Sequence, residues 1–166
     1  MLRIDLAPLR EGVHNVLLNP EPEAVGLDPD RFADLRVAVG LELFNDRILV
    51  TLRAVATATL ECDRTLAVFE QPIEGDYRIL FVPPSFARRE DEETLYEEVR
   101  VLEDTESAID VTDAVRDTVL LAVPARKVAP GAEEAEIPTV FGAPAAGVGV
   151  DPRWEALRQL QTGHDD

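Results

Sequence analysis

With 166 residues and 46% hydrophobic content, the chain is long enough to bury one real core and too short to expect more than one domain plus tails. Its 33 acids against 16 bases leave a formal charge of -17, which argues against a broad phosphate-binding surface, because nucleic-acid affinity rests on Lys and Arg neutralising backbone charge. The single cysteine, Cys62, excludes an internal disulfide and a Cys-rich zinc site, and no run approaches the roughly 18 apolar residues of a membrane span.

The N-terminus places Asp5 where a signal peptide would carry its apolar run, so a cytoplasmic protein without membrane contact is expected. Leu2, Ile4 and Leu6 alternate as a short first strand, Val13 to Leu18 reads as a second, and the Pro-rich stretch from Asn19 to Asp30 as a connection. From Asp34 to Leu60 the pattern is sharpest. Leu35, Val37, Val39, Leu41 and Leu43 recur at every second residue, as do Ile48, Val50, Leu52, Ala54 and Ala56 after the polar break at Asn45-Asp46. A hairpin closed at that break pairs Leu43 with Ile48, Leu41 with Val50, Val39 with Leu52, Val37 with Ala54 and Leu35 with Ala56, and a slip of one residue would turn one apolar set to water.

After a turn at Cys62 to Thr65, Leu66 and Val68 continue the β pattern, Glu74-Gly75-Asp76 reads as another turn, and Tyr77, Ile79 and Phe81 share a strand face until Pro83-Pro84. The charged stretch from Ser85 to Glu98 reads as a flexible loop, and Val99 and Val101 mark a strand within Glu98 to Glu103. Asp110 is placed to cap a helix over Val111 to Val123, with Val111, Ala114, Val115, Thr118, Val119 and Ala122 as its apolar stripe and Pro124 as its stop. Asp151-Pro152 opens a terminal helix with Trp154, Leu157 and Leu160 on one side. The expectation is an α+β protein, mainly antiparallel β-sheet or partly open barrel, with one helix near residues 111–123 and a C-terminal helix near 151–161. Residues 1–124 form a single β-rich domain, 125–150 an Ala/Gly/Pro-rich tether, and 151–166 the terminal helix and tail.

Catalytic chemistry lacks an inventory. The only histidines are His14 and His164, with no spacing that sets either beside Cys62, and there is no Gly-rich phosphate loop and no HExxH. Cys62 reads as a buried core cysteine before it reads as a nucleophile, and Asp91-Glu92-Glu93 as a solvated face before a metal site or dyad. No catalytic residue, metal, cofactor or small-molecule substrate is expected. Trp154 either anchors its helix to the domain or docks on a partner. The acidity has two readings: an acidic face that attracts a basic partner, or, because the acids are spread along the chain and Lys127 is the sole lysine, adaptation to concentrated salt.

Three features in order resemble the YceD family, the large ribosomal RNA subunit accumulation proteins. They are Leu60-Glu61-Cys62-Asp63-Arg64-Thr65-Leu66 after an alternating β segment, a helix opened by Ile109-Asp110-Val111 and closed by Leu120-Leu121-Ala122-Val123-Pro124, and Asp151-Pro152-Arg153-Trp154-Glu155-Ala156-Leu157 near the end. Thr65 stands where the family pattern has a second cysteine, and the further cysteines many members carry are absent from 125–150, so no metal role transfers. The resemblance singles out Cys62, Arg64, Asp151, Pro152 and Arg153 as partner-binding candidates, to which Trp154 is added. Arg64 suits a bidentate contact to carboxylate or phosphate, with an ion pair to Asp63 or Glu61 as the plainer alternative. The resemblance implies a non-enzymatic ribosome-biogenesis factor. Its partner is then a large-subunit ribosomal protein or assembly factor, with rRNA touched indirectly. An acidic adaptor unrelated to ribosomes and a small Cys- or carboxylate-dependent enzyme remain as alternatives.

Overall fold

A computed structural model describes residues 1–85, 98–103 and 105–134. The helix expected near 151–161 lies outside those residues, as do nearly all of the charged loop and most of the tether. Strands run over Arg3–Asp5 (β1), Gly12–Leu18 (β2), Phe32–Phe44 (β3), Arg47–Glu61 (β4), Val68–Val82 (β5), Glu98–Val101 (β6) and Ala108–Asp110 (β7), followed by a helix, Thr112–Ala122 (α1). A five-stranded sheet has the order β2-β3-β4-β5-β6, and β1 and β7 form a separate antiparallel pair. The mixed α+β class and the largely antiparallel sheet agree with the sequence reading. The barrel alternative does not: β2 and β6 stay at opposite edges, and the apolar face is covered by α1 and a 3-10 turn at Pro22–Val25 instead of by closure of the sheet.

The β3–β4 hairpin has the expected register from Leu43↔Ile48 through Val37↔Ala54. Asn45 and Asp46 both take positive φ (46° and 62°), the backbone of a type I′ turn, which Asn and Asp tolerate better than other residues with a side chain. Beyond Arg36 the register shifts. Asp34, with φ 54°, and Leu35 together oppose the one residue Ala56, so the expected Leu35↔Ala56 pairing is replaced by a β-bulge. The bulge turns both Phe32 and Leu35 into the core, which unbroken alternation would forbid.

One further expectation is corrected. Glu74-Gly75-Asp76 is not a turn: β5 runs straight through it, paired with β4 at Val55↔Glu74, Ala54↔Gly75 and Arg53↔Asp76. Gly75 is required by packing, since a Cβ there would lie 2.9 Å from both the Thr118 Cγ2 and the Thr118 carbonyl oxygen of α1. β6 pairs with β5 in parallel, from Ile79↔Glu98 to Val82↔Val101, because the chain between them is long enough for a crossover.

α1 packs on β5 and β4 through Ala114, Val115, Thr118 and Val119, matching the expected stripe, and full burial of a valine such as Val115 contributes about 2 kcal/mol. The N-cap position is Val111, whose side chain has no polar group to cap with. Asp110, one residue earlier, serves the helix start instead: Oδ1 accepts from the Thr112 N–H at 2.9 Å and the Thr112 hydroxyl at 2.5 Å. The Thr112 oxygen in turn accepts from the Leu2 N–H at 2.6 Å, which ties β1 to the helix start.

Candidate partner-binding site

The link from β4 to β5 is closed by two backbone bonds, Leu66 N–H to the Cys62 carbonyl and Cys62 N–H to the Ala67 carbonyl, each 2.9 Å. The chain leaving α1 returns to this turn. The Asp63 N–H donates to the Lys127 carbonyl at 2.7 Å, and the Lys127 N–H donates to Asp63 Oδ2 at 2.7 Å. The Ala129 N–H donates to Cys62 Sγ at 3.3 Å. Lys127 Nζ lies 4.0 Å from Asp63 Oδ1, a surface pair that adds little to these backbone bonds.

Cys62 has no exposed surface yet stands outside the main core cluster, held under its own turn. The Ala129 N–H and then the Thr65 hydroxyl stabilise the thiolate against the cost of burial, with smaller help from the backbone of Arg64 and Thr65, and its pKa falls from 9.0 to about 7. Its chemistry in this geometry is that of a hydrogen-bond acceptor clasping residue 129.

This clasp builds one wall of a groove of about 640 Å³ whose other wall is the first half of β5. Half-buried Phe69 and Val128 and exposed Pro72 supply apolar surface, and exposed Glu70, Glu133 and Glu134 supply three carboxylates with no basic residue in the lining. A second cleft, of about 560 Å³, lies at the β3–β4 turn and carries Glu11, Asp46, Glu103 and Glu106 against one base, Arg47. Both clefts combine apolar surface with an excess of acid, which attracts cationic, part-apolar ligands and repels phosphate. Among the described residues no group of His, Cys, Asp or Glu is arranged to hold a metal ion, and no helix is long and apolar enough to cross a membrane.

The family model of the large ribosomal RNA subunit accumulation protein YceD matches residues 50–161, well over half of the chain. The chain belongs to the YceD family. No curated protein and no solved structure matches it. The YceD match takes in most of β4, the Cys62 turn, β5, α1 and the whole lining of the larger groove, whereas the second cleft draws Leu9, Glu11 and residues 43–48 from before it.

Of the YceD-like candidates, Cys62 and Arg64 fall together in the β4–β5 turn, with Arg64 half-buried. Asp63, one carboxylate considered for Arg64, is engaged with Lys127. Asp151, Pro152, Arg153 and Trp154 lie outside the described residues. Sequence reasoning missed the return of residues 127–134 to the turn. Its visible signals are slight: Pro130-Gly131 ahead of Glu133-Glu134 in a stretch that otherwise reads as linker.

Proposed function

We propose that this chain is a non-enzymatic ribosome-biogenesis factor of the cytoplasm that promotes accumulation of large-subunit rRNA by binding a basic large-subunit ribosomal protein or assembly factor, with the rRNA affected indirectly. Membership of the YceD family supports the role in large-subunit rRNA accumulation. The observation that carries the choice of a basic protein partner is the charge of the clefts: carboxylates outnumber bases three to none in one and four to one in the other, within a chain of net charge -17. Carboxylates at that density attract Lys- and Arg-rich protein and oppose direct contact with an RNA backbone. The full burial of Cys62 weighs against a thiol nucleophile.

Depletion followed by measurement of the ratio of large-subunit to small-subunit rRNA tests the role. A selective fall in large-subunit rRNA is expected, restored by the wild-type chain. An unchanged ratio after complete depletion refutes it.

A further inference from the structure

We infer that the groove between β5 and residues 128–134 is the seat of the partner, and that it takes an extended, arginine-rich protein segment whose side chains, more than its backbone, are recognised. This inference rests on the reading of the chain as a binder of basic protein.

The groove's two kinds of surface match the two halves of an arginine side chain. Phe69, Pro72 and Val128 offer apolar surface to an aliphatic stem, while Glu70, Glu133 and Glu134 offer carboxylates to its guanidinium. No base in the lining competes for those carboxylates; nearby Lys127 is turned to Asp63. Among the described residues β6 covers β5 only from Ile79 onward, so β5 borders the groove as a sheet edge. Pro72 removes a donor from that edge and interrupts the ladder an added strand needs, so side-chain contacts carry recognition. The opposite wall is fixed before any ligand arrives by the Asp63–Lys127 and Cys62–Ala129 hydrogen bonds, which spares a partner the cost of ordering it.

The test uses the full chain and a fluorescent, end-blocked peptide of alternating Arg and Ala, read by anisotropy. The triple substitution Glu70→Gln, Glu133→Gln, Glu134→Gln should weaken binding at least about tenfold, as expected when several charge pairs are lost from one site. The charge-matched triple Glu21→Gln, Glu23→Gln, Asp30→Asn, at exposed acids outside both clefts, should change it by less than about threefold, the scale of diffuse surface electrostatics. Equal losses in the two variants, or preference of the wild-type chain for single-stranded RNA over the peptide, overturn the inference. In depleted cells, a groove variant that fails to restore the rRNA ratio where wild type succeeds supports it. A groove variant that restores the ratio fully overturns the groove as the partner's seat while leaving the proposed function standing. Failure of the wild-type chain itself refutes the proposed function, and the peptide comparison then decides the groove alone.

Discussion

Gly75→Ala separates two incompatible readings of the same three residues. If Glu74-Gly75-Asp76 were a solvent-facing turn, a methyl group would meet nothing. In the strand it meets α1: the added Cβ lies 2.9 Å from the Thr118 Cγ2, 2.9 Å from the Thr118 carbonyl oxygen and 3.3 Å from the Ala122 Cβ. Ordinary carbon contacts fall near 3.5–4.0 Å, so the helix must retreat by roughly 0.5–1 Å. The carbonyl belongs to the helix backbone and cannot rotate aside, so the retreat loosens Val115 and Val119 as well. Overpacking of this kind costs about 1–3 kcal/mol, and the reduced freedom of the unfolded chain returns about 0.4–1 kcal/mol. The central values net to a loss of about 1.3 kcal/mol, a fall in Tm of about 3–5 °C for a chain of this size. Urea titration followed by far-ultraviolet circular dichroism measures it. Adding Thr118→Ser removes the Cγ2 contact and leaves the carbonyl contact, so recovery should be partial. An unchanged or raised midpoint for Gly75→Ala would refute the packing of α1 on this strand.

Asp46→Gly should stabilise the hairpin by up to about 1 kcal/mol, because Asp46 holds φ 62° where glycine carries no Cβ penalty; a fall in the urea midpoint contradicts the type I′ turn. Asp110→Ala should cost about 1 kcal/mol through loss of its hydrogen bonds to Thr112 at the helix start. Burial opposes ionisation of Asp110, but the hydrogen bonds from the Thr112 hydroxyl and N–H outweigh it and hold the carboxyl below its ordinary 3.8. Its contribution is therefore present above that value and lost as pH falls through the lower folded value, and acid titrations of wild type and variant should converge there. The Cys62 thiolate should appear by ultraviolet absorbance with a midpoint at about pH 7, against 9.0 for a free thiol. Because the folded value is depressed, its contribution to stability is full above about pH 9 and is lost as pH falls through about 7. A midpoint near 9 would remove the Ala129–Cys62 hydrogen bond from the groove wall.

The β3–β4 hairpin was legible because its alternation persists over both strands, and only one register buries both apolar sets. The pattern could not reveal the bulge at Asp34 and Leu35, which depends on bringing Phe32 inward as well. Glu-Gly-Asp carries every local mark of a turn, yet Gly75 answers a helix more than forty residues further along the chain. No local signal distinguishes a parallel β6 from an antiparallel one, since direction follows from the path of the crossover. At the site, the sequence pointed to Cys62 and Arg64 by resemblance, but the groove beside them depends on residues 127–129 returning to the turn. The returning segment contributes only backbone groups, the C=O and N–H of Lys127 and the N–H of Ala129, which every residue but proline carries alike, so nothing in its composition marks the partners that Asp63 and Cys62 find there.

The bulk acidity of the chain is equally compatible with a salt-rich milieu and with a basic partner. The two differ in placement. A milieu effect needs only hydrated carboxylates on the surface, whereas binding needs them beside apolar surface in a cleft, as Glu70, Glu133 and Glu134 are beside Phe69 and Val128. Raising salt should weaken a partner held by such carboxylates while leaving the fold intact.

The most direct test of the proposed role is the ratio of large-subunit to small-subunit rRNA in cells depleted of this protein and then supplied with the wild-type chain. A selective fall in large-subunit rRNA that the wild-type chain reverses is the predicted result. A ratio that stays unchanged when the protein is fully depleted would contradict it.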